Sequence, residues 1–376
     1  MATEESVYSE PIIDANQETI RGLLNLASPD DTAKLFRDAY RTKFQVVGPR
    51  IYLRGIIEFS NICDKNCYYC GIRKDNKKVE RFQMSEDEIA AISLQAYSQG
   101  IGSLVLQAGE RCDKKFTEMV ERVVRRIKLE SNGGIGITLS LGEQEPEVYQ
   151  QWFKAGAHRY LLRIETSNRQ LYERVHPKDH DHTVRLECLK NLREIGYQVG
   201  SGALIGMPGE TTNELAEDAL FFKKIDLDMI GMGPYVVHDQ TPLAKKAGDY
   251  DHERQLNLGL KMIAVCRLLM PDINIAATTA LQTLNPSGWE LGIRAGANVV
   301  MPNITPEKYR DAYTLYQGKS LCSESSAPLE YLRKLFINIE EEVVPNQWGD
   351  SLHFKKRTQL RNFIHRRDTK SAKKDF

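Results

Sequence analysis

The chain has 376 residues, enough for one domain of barrel size or for two smaller ones. Lys plus Arg and Asp plus Glu balance at 51 each, and 41% of residues are hydrophobic, so composition points to no polyanionic partner, nucleic acid included. No apolar run reaches the length of a membrane span, and the acidic, polar stretch Met1–Asp14 lacks the character of a secretion signal or transit peptide; the expected setting is cytoplasmic.

Residues 1–50 read as a helical cap, with Gln17–Leu26 and Asp31–Gln45 as its elements, closing the N-terminal end of the domain that begins at residue 51. From residue 51 the chain alternates short Val- and Ile-rich runs with amphipathic ones. The strands are expected at Ile51–Ser60, Ser103–Gln107, Ile135–Leu141, Arg159–Glu165, Gln198–Gly206, Asp228–Val236, Asn274–Leu281 and Ala297–Pro302. Between them, Ser85 and Glu88 form a capping box that opens a helix reaching about Gln99. Phe116, Met119, Val120, Val123, Val124 and Ile127 have helical spacing. Further helices are expected at Glu145–Ala155, Thr183–Ile195, Thr212–Lys224, Glu253–Met270, Ser287–Ala295 and Pro306–Leu315, with Gly156, Gly196 and Gly296 as C-terminal caps.

Eight βα units in about 260 residues predict a complete (β/α)8 TIM-type barrel, α/β in class, rather than a doubly wound open sheet. The expected organisation is a cap over 1–50, the barrel over 51–322 and a helical extension with a basic tail over 323–376. The tail, from Lys355-Lys356-Arg357 to Lys373-Lys374, reads as a solvated end.

Seven cysteines without an export signal argue for a reducing compartment and against a disulfide framework. Three of them, Cys63, Cys67 and Cys70, are spaced C-x3-C-x2-C directly after the first strand. Thiolates suit iron–sulfur clusters and zinc. A structural zinc or electron-transfer site is normally closed by four protein ligands, and no fourth Cys or His lies nearby in the sequence. Three thiolates leave one iron of a cubane open to a ligand. The loop's place at the C-terminal end of a strand is where barrels build their sites.

This triplet with Tyr69 before the third cysteine is the radical S-adenosylmethionine (SAM) signature, and several blocks resemble the HydE family, the radical SAM maturases of iron–iron hydrogenase. They include Ile56–Asn61, Tyr69–Lys77, Leu106–Glu110, Thr138–Glu143, Arg159–Thr166, Gly231–Tyr235, Ala277–Ala280 and Asn298–Asn303, within a resemblance running from about residue 15 to 322. The resemblance implies one 4Fe–4S cluster on Cys63, Cys67 and Cys70. It implies SAM contacts at Tyr69, Gln107, Gly109, Glu110, Ser140, Glu165, Arg185 and Met207, the last within the Gly202–Glu210 segment that resembles the adenine-contacting motif. It places Arg159, Thr278, Thr279, Tyr316, Met229 and Met301 at the substrate cavity, although composition alone makes the two methionines core filler. Arg163 and Glu165 are open to a purely structural reading as an ion pair.

Reductive cleavage of SAM and radical attack on the sulfur of an iron–cysteine–CO–CN complex is the reaction the resemblance implies, on the way to the dinuclear subcluster of the H-cluster. The implied partners are HydG as donor, HydF as scaffold GTPase, and a low-potential ferredoxin or flavodoxin. The implied compartment is the cytoplasm or the matrix of a hydrogen-producing organelle. Cys322 stands alone among serines, so no second cluster is expected, and sulfur insertion of the biotin-synthase type, which consumes a second cluster, is disfavoured. A related enzyme acting on another metallocofactor precursor or an amino acid is one alternative, and a nucleic-acid-binding protein that uses the basic tail, with a merely structural cluster, is another.

Overall fold

The computed structural model describes residues 10–319 and 328–359. Ten strands form one parallel sheet, in the order Glu342–Val344, Arg50–Leu53, Val299–Val300, Asn274–Ala277, Met229–Ile230, Gln198–Ser201, Arg159–Leu161, Gly136–Ser140, Ser103–Ala108 and Gly55–Ser60. Only Arg54 separates Arg50–Leu53 from Gly55–Ser60. The first pairs with Val299–Val300 and the second with Ser103–Ala108, so the sheet curls back towards its own start. Val, Ile and Leu fill it because the strands are covered on both faces, as in Ile57, Leu104, Leu106, Ile137 and Leu139, all nearly inaccessible.

Helices alternate with the strands as the periodicity predicts. Glu86–Ser98, Lys114–Glu130, Pro146–Ala155, His182–Ile195, Thr212–Lys224, His252–Leu269 and Gly288–Arg294 lie within a few residues of their expected bounds. The Ser85–Glu88 capping box is present, and Gly156 and Gly196 take left-handed caps. Among the described residues no helix is long and apolar enough to cross a membrane.

Several expected elements are shorter than read, among them Asp228–Val236, which keeps Met229–Ile230 in the main sheet, and Ala297–Pro302, which keeps Val299–Val300. The run Asn274–Leu281 leaves the sheet at Ala277 and becomes the helix Thr279–Leu284. The run Gln198–Gly206 breaks at Gly202, where a Cβ would lie 2.2 Å from the carbonyl oxygen of Gly231. Its second part, Leu204–Ile205, pairs with Gly233–Pro234 in a separate small sheet. The run Arg159–Glu165 keeps only Arg159–Leu161 in the main sheet, and Pro306–Leu315 keeps one helical turn, Glu307–Arg310.

The N-terminal helices do not cap the end of the sheet. Gln17–Leu24 and Pro29–Val46 lie along Thr212–Lys224 and His252–Leu269 on the flank. Their apolar stripe fits there, with Leu35 and Ala39 packed on Ala264 and Leu268. The N-terminal rim is covered instead by the C-terminal segment. Trp348 Nε1 donates to Gly134 O (2.7 Å), Arg159 Nη1 donates to Trp348 O (2.9 Å) and to Asp350 Oδ1 (2.8 Å), and Ser351 N donates to Gln198 Oε1 (3.0 Å). Asn274 Nδ2 and Arg54 Nη2 donate to Gly349 O at 2.7 and 3.2 Å. Arg159, Gln198 and Asn274 each open a strand, which places this loop on the rim.

Part of the basic tail is fastened rather than solvated. Lys356 pairs with Asp272 (3.0 Å) and Arg357 with Asp228 (2.7 Å), because Asp226, Asp228 and Asp272 gather at this rim and need cations. Lys373, Lys374 and Cys322 lie outside the described residues. His353 sits between Asp226 (2.7 Å) and Asp272 (3.2 Å). Burial opposes its charge, but the hydrogen bonds and charges of the two aspartates outweigh burial and raise its pKa to about 9.

Two measurements test the rim. Asp350→Ala leaves the fully buried Arg159 without its carboxylate and lowers stability by about 3 kcal/mol, read from the denaturant midpoint. The raised pKa of His353 stabilises the fold fully below the unfolded value of 6.5, and that contribution is lost as pH rises through about 9. Thermal midpoints measured from pH 6 to about 10 should fall in the wild type and fall less in His353→Gln.

Candidate active site

The cysteine loop follows Gly55–Ser60 and is held by side chains that stand in for regular structure. Asn61 Nδ2 donates to Glu80 O (2.7 Å) and Ala312 O (2.6 Å). Arg81 donates to Asn61 O, Ile72 O and Arg73 O at 2.6, 2.7 and 2.7 Å. Gly71 must be glycine, since a Cβ there would lie 2.0 Å from Thr314 O and 2.5 Å from the His238 ring. Burial pushes all three thiols up, Cys70 to about 12, with the charge of Cys63 adding to it. Thiols in this setting stay protonated unless a cation binds them, and coordination to a metal inverts that preference.

Behind the loop lies a cavity of about 270 Å³. The three cysteines form one wall with Tyr69, Gln107, Gly109 and Glu110. Ser140, Glu165 and Arg185 come from the next units, and Thr278, Thr279, Met301 and Tyr316 from the far side. The expected residues therefore converge, with three exceptions.

Arg159 is fully buried at the opposite rim, where Thr138, Ser103, Trp348 O and Asp350 occupy its guanidinium. It does not line the cavity. Met229 sits deeper too, with Sδ 3.0 Å from Arg54 Nη1 and 3.2 Å from Gln198 Nε2. Met207 packs with Leu171, Val175, Tyr235 and Leu243, a cluster that also supports Tyr69.

Four charges meet at the mouth. Arg185 Nε donates to Glu143 Oε1 (2.7 Å), and Arg185 Nη2 lies 3.4 Å from Glu110 Oε2. Lys65, within the cysteine loop, reaches Glu143 Oε2 (2.7 Å) and Glu110 Oε1 (3.2 Å). Burial raises the Glu110 carboxyl above its ordinary range despite Arg185, with Glu143 adding to the shift. Burial opposes Glu143 as well, but Arg185 and Lys65 hold it below that range through the shorter contacts. Neither Lys65 nor Glu143 was expected here, because a Lys inside a cysteine loop and a Glu after a strand carry no pattern of their own.

Glu165 has left the strand with φ +65°, a conformation costing a non-glycine residue about 1 kcal/mol or more. It is fixed by Glu165 N to Gly202 O (3.0 Å) and Leu204 N to Glu165 O (2.9 Å), and pairs with Arg163 at 2.9 Å. Across the cavity the Thr279 and Tyr316 hydroxyls lie 3.1 Å apart, and Thr278 Oγ1 has no hydrogen-bond partner among the described residues. Tyr69 Oη lies 3.1 Å from His176 Nε2, and Cys67 Sγ lies 3.8 Å from His180 Nδ1. These two histidines were also missed; their four-residue spacing was the available signal.

The Radical SAM superfamily model matches residues 57–222. The FeFe hydrogenase maturase subunit HydE of Thermotoga maritima is 44% identical over 305 residues, covering 81% of this chain and 84% of its own. The chain belongs to the HydE family of the radical SAM superfamily. A 3-methylornithine synthase of Methanosarcina acetivorans is 28% identical over 306 residues, 80% of this chain and 84% of its own. The crystal structure of methylornithine synthase (PylB) has the same fold, with a TM-score of 0.75 at 22% identity over 89% of this chain and 95% of that one.

Radical SAM membership implies a 4Fe–4S cluster and SAM, and the residues fit both. Three thiols face the cavity together, and Thr278 Oγ1 is left for a ligand. Glycine shapes the wall: a Cβ on Gly142 would lie 2.1 Å from Glu110 Oε2. At Gly109 it would lie 2.3 Å from Ile62 O and 2.8 Å from Cys63 Cβ. Gly109→Ala must therefore push the Cys63 segment aside. Iron bound per chain after anaerobic reconstitution should fall at least about twofold, with the far-UV circular dichroism unchanged.

Proposed function

We propose that this chain is a HydE-type hydrogenase maturase whose Cys63, Cys67 and Cys70 hold a single 4Fe–4S cluster. The observation that carries the reading is the convergence of those thiols, Glu110 and the Thr278–Thr279 wall on one cavity in a chain 44% identical to HydE. Bound there, the cluster and SAM supply a reductively generated 5′-deoxyadenosyl radical.

The protein's part is to bind, orient and exclude water. Glu110, less tightly paired than Glu143, receives an ammonium group. Arg185 holds that carboxylate in place, and Ser140 and Glu165 offer a hydroxyl and a carboxylate to the ribose and amino groups. Gln107 Nε2, held 3.3 Å from the Tyr313 hydroxyl, fixes one side of the ligand's bed. Thr278, Thr279, Tyr316 and Met301 line the part of the cavity away from the cysteines, and we assign the substrate to it.

That substrate is a small iron–cysteine complex carrying carbon monoxide and cyanide, with its sulfur presented towards the cysteine wall. HydG as source, HydF as recipient and a ferredoxin or flavodoxin as electron donor complete the reading by family. We read the fold as a closed (β/α)8 barrel over 51–322. The two-sided pairing of the chain around Arg54 supports closure. Residues 1–50 and 323–376 are additions to it, with the described part of the first on the flank and Trp348–Ser351 of the second on the N-terminal rim.

The test is anaerobic. Reconstituted, reduced protein is given SAM and the synthetic iron complex, and products are followed by mass spectrometry. A deoxyadenosyl adduct of the complex is expected, and Cys63→Ala, Cys67→Ala or Cys70→Ala should each lower its yield at least about a hundredfold. Free 5′-deoxyadenosine with an untouched complex would redirect the search towards an amino-acid substrate, as the methylornithine synthase likeness allows. No SAM cleavage by a fully loaded protein would refute the reading.

A further inference from the structure

The three cysteine sulfurs are not served alike. Cys63 takes backbone N–H groups at Lys65 and Glu110, and Cys70 takes one at Ile72. Cys67 is approached by side chains, the Tyr69 hydroxyl and His180. His180 stands in the turn between the helices Arg169–Val175 and His182–Ile195, with its side chain 2% exposed.

Its tautomer is set by its neighbours. Asn66 N lies 3.3 Å from His180 Nε2, and a backbone N–H can only donate. Nε2 is therefore the acceptor, and the neutral ring carries its proton on Nδ1. Nδ1 lies 3.8 Å from Cys67 Sγ, within reach of a hydrogen bond to sulfur. A metal-bound thiolate carries no proton, so the histidine must be the donor. His176 is not in competition: its Nδ1 faces Tyr172 O at 2.9 Å and its Nε2 faces the Tyr69 hydroxyl. Asp179 Oδ1 is 4.0 Å from His180 Nε2 and exposed, too far to displace the Asn66 contact.

We propose that His180 donates its Nδ1–H to the Cys67 thiolate of the bound cluster and thereby raises the cluster's reduction potential. The proposal rests on the cysteine triplet being the cluster site. Reduction adds negative charge that spreads onto the sulfurs, and a donor aimed at sulfur stabilises the reduced form more than the oxidised one. His180 is a positioning residue, since it acts on the cluster through Cys67. The same geometry explains why Asn66, one residue before Cys67, presents its backbone N–H to the ring.

The experiment is a redox titration of the reconstituted protein without SAM, monitored by electron paramagnetic resonance, after iron and sulfide have been counted. Losing one such hydrogen bond in His180→Ala should lower the ratio of reduced to oxidised cluster at a fixed potential by up to about tenfold, about 59 mV for one electron. His180→Asn, whose amide can occupy the Nδ1 position, should recover most of the shift. An unchanged potential in a fully loaded His180→Ala protein overturns the proposal.

If that variant loads poorly, the wild-type protein decides. With 15N-labelled histidine, pulsed resonance of the reduced cluster should show one weakly coupled nitrogen, and its absence overturns the proposal. Failure of the wild type to assemble any cluster would instead refute the assignment of the cysteines.

Discussion

Arg185 and Lys65 hold two buried carboxylates beside each other at the mouth of the sheet, and the site is arranged around that quartet. Glu110 ends the second strand unit and Glu143 the third, Arg185 comes from the helix His182–Ile195, and Lys65 lies between the first two cysteines. Without the cations, two like charges would share a low-dielectric space, and at least one would take up a proton. With them, four elements distant in sequence are tied at one point, and the cysteine loop acquires a fixed distance from Glu110. The quartet is neutral overall, so it can admit a zwitterionic amino-acid group without a net change in charge.

Part of the opposite rim has more buried cations than carboxylates. Arg54 and Arg159 are buried there and Asp350 is the carboxylate near both. The carbonyls of Trp348 and Gly349 accept further N–H groups of the two arginines. Gly349 adopts φ +66°, and a Cβ would lie 2.5 Å from the Tyr52 ring, so this loop can approach the rim only as glycine. The segment Trp348–Ser351 is thus part of the folded core.

Most of this was legible in the sequence, for physical reasons that also mark where legibility stopped. Helices such as Thr212–Lys224 carry caps and a 3.6-residue stripe, and their positions came out within a few residues. Strand ends did not, because a run like Asn274–Leu281 stays apolar after the chain has turned into a helix. The cysteine triplet, Glu110 and Arg185 were readable as a pattern or a resemblance. Lys65, Glu143 and His180 were not, since each acts through partners more than 30 residues away in sequence. The placement of Gln17–Leu24 and Pro29–Val46 on the flank rests on packing against Thr212–Lys224 and His252–Leu269, which no local pattern records.

Arg159 shows where the resemblance and the structure part. Residues 159, 163 and 165 do share a parity, and parity fixes the face of a strand. It leaves depth open: six fully extended residues span at most ~20 Å, and here Arg159 opens the strand while Glu165 lies beyond its end. The partners tell the two ends apart. Every nitrogen of Arg159 has a protein acceptor, as a structural cation in a dry core requires. Around the cavity, Thr278 Oγ1 and Arg163 Nε are buried without a hydrogen bond among the described residues. Unspent polar atoms are costly to bury and persist where a ligand completes them. Arg159 is thus spent on the fold, whereas Thr278 Oγ1, on the cavity wall, is left for a ligand.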